Sequence, residues 1–122
     1  METILAAVED LFFLSKIQQT AKRLGIGVAV AEPKRLREQL AATPARGVIL
    51  DLNHRSGAAI EALRELRSNP ATAGIRVLGF LSHVQTELAA AARAAGCDIL
   101  LARSAFSQQL PQLLEKLSRA GE

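Results

Sequence analysis

Three carboxylates in this 122-residue chain stand where short apolar runs give out: Glu9 and Asp10 after Val8, and Asp51 after Gly47-Val48-Ile49-Leu50. The Asp51 run is apolar and β-branched, with Pro44 and Gly47 before it and Ser56-Gly57 after it. That pattern suits a strand covered on both faces, as in a parallel sheet. An acid at the carboxyl end of such a strand lies where open α/β sheets bind ligands. Gathered in one pocket, Glu9, Asp10 and Asp51 repel one another and raise one another's pKa values unless a cation neutralises them. Such a site predicts a divalent metal, and oxygen ligands on short side chains suit magnesium, which keeps several waters. Standing alone, Asp51 would do no more than end a strand and open a turn.

Whether the three acids meet depends on the elements that carry them. Residues 3–8 form a short apolar run, and Leu14, Ile17, Ala21 and Leu24 then recur at helical spacing until Gly25. Residues 26–31 read as a second strand. Pro33 suits a first helical turn, and Leu36 and Leu40 mark a short helix ending before Pro44. The Asp51 run is the third strand. Ile60, Leu63 and Leu66 keep helical spacing over 58–67, and Asn69-Pro70 ends that helix. Residues 75–81 make a fourth strand, 84–95 an alanine-rich helix closed by Gly96, and 98–102 a fifth strand. Leu110, Leu113, Leu114 and Leu117 stripe a last helix.

Strand and helix signals that alternate with short connections imply an α/β fold: a parallel five-stranded sheet with helices on both faces. Right-handed crossovers leave few ways to wind it, and the length suits one flavodoxin-like (βα)5 domain over residues 1–122 with strand order 2-1-3-4-5. No shift in composition marks a linker. In that order strands one and three are neighbours, so Glu9-Asp10 and Asp51 converge.

Bulk properties narrow the class. At 49% hydrophobic and 22% charged residues, the composition is that of a globular domain and not of a disordered tail. No apolar stretch approaches the roughly 20 residues that span a bilayer, and Met1-Glu2-Thr3 is no basic leader. The single cysteine, Cys97, forms no internal disulfide and no Cys/His spacing suggests zinc, so a reducing cytoplasm is the expected location. The net charge of +3 is spread over several helices, and with no tyrosine or tryptophan for base stacking a nucleic-acid partner is not expected. Gly25-Ile26-Gly27 precedes a strand, which excludes a phosphate-cradling loop.

At the level of motifs, Val8-Glu9-Asp10, Leu50-Asp51-Leu52-Asn53, Gly96-Cys97-Asp98 and Arg103 resemble, in order, the receiver domain of bacterial response regulators (CheY-like). The resemblance implies a phosphorelay protein without enzymatic output. It implies that Glu9 and Asp10 hold Mg2+ with Asp51 and the backbone carbonyl of Asn53. It also implies that Asp51 accepts a phosphoryl group from a histidine kinase or phosphotransfer protein, and that output passes to a downstream protein. A face containing Leu88-Ala89-Ala90-Ala91-Ala92 is expected to meet that partner, and pairing of two copies is left open.

Four departures from the family pattern stand out. Arg103 takes the place of the family lysine and keeps its charge on a longer, planar head. Either Leu81 or Ser82 falls where the family has its switch hydroxyl, and Ser82-His83-Val84-Gln85 also fits a capping box. An aliphatic residue, Leu100 or its neighbour, replaces the switch aromatic. The loop His54-Arg55-Ser56-Gly57 is short and lacks the family's proline. These changes give a second reading, a pseudo-receiver that binds proteins without phosphorylation. A Ser82-His83-Asp51 hydrolase is not expected, because adjacent strand residues face opposite ways and no nucleophile elbow is present.

Overall fold

A computed structural model describes residues 3–82 and 85–119. Its strands are β1 (Thr3–Ala7), β2 (Gly27–Val30), β3 (Gly47–Asp51), β4 (Arg76–Leu81) and β5 (Ile99–Ala102). They form one parallel sheet in the order β2-β1-β3-β4-β5. The helices are α1 (Leu11–Arg23), α2 (Leu36–Ala42), α3 (Ala59–Ser68), α4 (Thr86–Ala94), α5 (Arg103–Gln108) and α6 (Leu110–Ser118), with a 3-10 turn over Pro33–Arg35 before α2. This is the flavodoxin-like winding expected from the alternating pattern. No described helix is long and apolar enough to cross a membrane.

Strand side chains alternate between two cores, as a period of two requires. Ile4, Ala6, Ile49, Leu78 and Phe80 meet Phe13, Leu14 and Ile17 of α1, Phe106 of α5, and Leu110, Leu114 and Leu117 of α6. Leu5, Ala7, Val48, Leu50 and Val77 meet Leu36, Leu40, Leu63, Leu66 and Ala92 of α2, α3 and α4. Every residue of central β3 is buried, which explains its unbroken apolar run. A Cβ on Gly47 would stand 3.1 Å from Leu117, so the small residue lets α6 close over the base of that strand.

The edge by β5 is tied by one side chain. Arg67 of α3 donates to the carbonyls of Gly96 (2.8 and 3.0 Å), Ala73 (2.9 Å) and Ile75 (2.6 Å) and pairs with Asp98 at 2.7 Å. Asp98 in turn accepts from the N–H of Val77 at 2.7 Å. Gly96 takes φ +102°, and a Cβ there would lie 2.9 Å from Arg67.

α1 begins at Leu11, directly after Glu9-Asp10 and ahead of its apolar stripe, because the Asp10 side chain caps it. Two features depart from expectation. α4 begins at Thr86 with Gln85 at the N-cap position, so Ser82 does not cap that helix; His83 and Val84 lie outside the described residues. The short α5 was not expected, since Phe106 is its only large apolar side chain and one residue makes no period.

Candidate functional site

The strand order sets β1 beside β3, with Ala7 opposite Leu50, so both chains leave the sheet at the same edge. Asp51 ends β3 and is only 7% exposed. Its Oδ1 accepts the N–H of Asn53 at 2.9 Å. Burial pushes its carboxyl above the ordinary aspartate range, against the pull of the Asn53 and Glu9 N–H groups and the positive charge of Arg103.

Both oxygens of Asp10 have donors. Its Oδ1 accepts from the N–H groups of Phe12 (2.9 Å) and Phe13 (3.2 Å), and its Oδ2 from Arg103 Nη2 at 2.7 Å. The Phe13 N–H is the largest influence holding this carboxyl below its usual range, with Phe12 and Arg103 adding to it. Glu9 is committed too: Oε1 accepts the N–H of Arg55 at 2.9 Å and Oε2 faces Arg55 Nε at 3.0 Å.

Arg103 opens α5 directly after β5. Its guanidinium carbon lies 4.6 Å from the Phe13 ring centroid and 5.9 Å from that of Phe80. Phe80 is the β4 neighbour of Asp51 in register, which places the cation beside the buried acid. Stacking of this kind contributes about 0.5–2 kcal/mol, more as water is excluded. Phe106 completes the platform, with centroids 5.4 Å from Phe13 and 5.2 Å from Phe80. A planar guanidinium can lie flat on these rings while reaching a carboxylate; an ammonium has no such plane.

Asn53 joins two loops. Its Oδ1 accepts the N–H of Ser82 at 2.8 Å and its Nδ2 donates to Gln85 Oε1 at 2.7 Å. Leu81 is the last residue of β4 and is buried in the second core, whereas Ser82 is exposed and follows the strand at the site edge. Of the two alignments, Ser82 is therefore the one that offers a hydroxyl there. The expected partner face on α4 is mostly turned inward: Ala92 is fully buried, Leu88 and Ala89 pack on the second core, and Ala90 is exposed. The large exposed apolar side chains beside the site are instead Leu11 and Phe12, 77% and 91% exposed.

The acid pair was expected to hold a divalent ion. Among the described residues no group of three or more His, Cys, Asp or Glu side chains is arranged to do so. Both oxygens of Glu9 and both of Asp10 have donors, and each acid faces an arginine. The like-charge repulsion that called for a metal is thus already relieved, and in this arrangement the pair does not fit one. Arg55, the side chain of Asn53 and the phenylalanine platform were not singled out from the sequence. Arg55 follows Asp51 in a loop with no periodic signal, but three of only four phenylalanines in an aromatic-poor chain were a usable hint.

In fold, the chain is similar to a response regulator from Chloroflexus aurantiacus (17% identity, 96% of this chain and 97% of that one covered, TM-score 0.84). It is likewise similar to the Vibrio cholerae chemotaxis protein CheY4 (16%, 96% and 98%, TM-score 0.83) and to the Mn2+-bound form of response regulator Rcp1 (16%, 96% and 91%, TM-score 0.78). No protein-family model matches the chain, and no curated protein matches it in sequence. The fold is that of CheY-like receiver domains.

Proposed function

We propose that this chain is a receiver-type signalling module that accepts a phosphoryl group on Asp51 and passes the change to a protein partner. The observation that carries the reading is a buried, strand-terminal aspartate with an arginine beside it and a side-chain bridge leading away from it. A carboxylate oxygen of Asp51 attacks phosphorus on a phosphohistidine or acyl phosphate donor. The bond from phosphorus to the donor nitrogen or oxygen breaks, the leaving atom keeps the electron pair, and an acyl phosphate remains on Asp51.

The charge that arrives sits on three phosphoryl oxygens, and Arg103 is the nearby cation that offsets it. Turning to the new anion draws Arg103 from Asp10. Ser82 supplies a hydroxyl at the same edge, and Asn53 links Asp51 to the segment that begins α4. The Mg2+ expected from the resemblance meets acids already paired with arginines, so no step is routed through a metal. The donor is a histidine kinase or phosphotransfer protein and the recipient of the signal is another protein, as for the receivers that share the fold.

Beryllofluoride, a phosphoryl mimic, tests the reading by amide NMR. Shifts at Asp51 that extend to Asn53, Ser82 and Arg103 and vanish in Asp51→Asn support it. Silence in the wild-type protein would leave a phosphorylation-independent interaction module as the account.

A further inference from the structure

We infer that Arg103 takes over the work of the divalent cation, with Arg55 helping to occupy the acids that would hold one, so that phosphoryl transfer to Asp51 proceeds without metal. The inference rests on Asp51 being the phosphoacceptor and adds which groups neutralise the pocket.

Oδ1 of Asp10 receives two backbone N–H donors, which use both its lone pairs, and Oδ2 receives Arg103. Those N–H groups are among the orphan donors of α1's first turn, so freeing Oδ1 for a metal uncaps the helix. Displacing Arg103 from Oδ2 strips a guanidinium from its place against Phe13 and Phe80. Glu9 is held at both oxygens by Arg55, from its N–H and its Nε. The two contacts differ in strength: the Arg55 side chain is 89% exposed, so its ion pair is screened by water, while that of Arg103 is 34% exposed. Arg103 is therefore the main barrier to a metal and Arg55 the lesser one.

The same arginine meets the chemistry's need. Transfer moves negative charge onto phosphoryl oxygens beside Asp51, and a guanidinium offers several N–H donors in one plane for them. When the oxygen of an acyl phosphate leaves with its electron pair and Asp51 takes the phosphoryl group, the total charge is unchanged. A guanidinium that keeps its place on the rings and turns an N–H from Oδ2 of Asp10 to the new phosphate suffices.

The test has two arms. In the first, acetyl phosphate is the donor and intact mass reads phosphorylation, with EDTA or with Mg2+. The wild-type rate is expected to change less than about twofold between them, while Arg103→Ala in EDTA falls by about tenfold or more. Arg103→Lys, which keeps a cation, should retain part of the rate and guards against a folding defect. In the second arm, Mn2+ is added and amide broadening is read at residues 9, 10 and 51–53. No selective broadening is expected in the wild-type protein, and clear broadening in the Arg55→Ala/Arg103→Ala double variant.

A wild-type reaction abolished by EDTA would overturn the inference. So would broadening that is equal in wild type and double variant, or absent from both. Failure of phosphorylation with and without Mg2+ would sink the phosphoacceptor reading instead, and the Mn2+ arm would still decide whether the arginines exclude a metal.

Discussion

Ser82 donates its backbone N–H to Oδ1 of Asn53 across 2.8 Å, joining the loop after β4 to the loop after β3. Asn53 also donates its own N–H to Asp51, so one residue touches both the buried acid at the end of β3 and the segment ahead of α4. Asn53→Ala keeps the backbone bond to Asp51 and removes both side-chain bonds. The exposed setting limits the loss of stability to about 1 kcal/mol, measurable by urea denaturation. The larger effect is on coupling: beryllofluoride should still shift the amide of residue 53 but no longer that of Ser82.

Opposite pH dependences follow for Asp51 and Asp10. Burial raises the folded-state pKa of Asp51 above its unfolded value, so its contribution to stability is fully present below the unfolded pKa and is lost as pH rises through the folded one. At neutral pH the buried charge is a burden that Asp51→Asn relieves, keeping an oxygen for the Asn53 N–H. The variant should therefore be the more stable at pH 7, with its advantage shrinking in acid. Asp10 is held low by the Phe13 N–H first, then Phe12 and Arg103, so its contribution is present above the unfolded value and fades as pH falls through the folded one. Asp10→Asn still caps α1 but loses the charge pair, and should be destabilised at neutral pH and much less so in acid. Urea melts across pH check both signs.

Arg67 ties α3 to the β5 edge of the sheet through three carbonyls and Asp98. Arg67→Ala takes this donor from the three carbonyls and leaves Asp98 only the Val77 N–H, and should cost about 2–4 kcal/mol in chemical denaturation. Gly96→Ala meets the same side chain from the other side and adds a backbone strain of about 1–2 kcal/mol.

Adjacent phenylalanines separate packing from surface. Phe13→Ala removes a ring from the platform under Arg103 and should cost about 3–5 kcal/mol, whereas Phe12→Ser, at a 91% exposed position, should change stability by less than about 0.5 kcal/mol. Thermal melts of the two variants give the comparison directly.

The winding of the sheet was legible because β3 is buried on both faces and shows it as Gly47-Val48-Ile49-Leu50, while α6 carries its stripe of leucines openly. That β1 and β3 end side by side, with Ala7 opposite Leu50, followed from strand order alone. What the acids do there did not. A carboxylate reads the same in sequence whether it awaits a metal or already holds an arginine, and Arg55 and Arg103 reach Glu9 and Asp10 from 46 and 93 residues away. The start of α4 was misjudged for a related reason: an apolar run marks where a helix packs, and not the residue at which it begins.

The most direct measurement is the intact mass of the protein after incubation with acetyl phosphate, followed by mapping of the modified peptide. One added phosphoryl group on the peptide containing Asp51, absent from Asp51→Asn, is the predicted result. No added mass in the wild-type protein, or the same addition in Asp51→Asn, would contradict a phosphoacceptor at the end of β3.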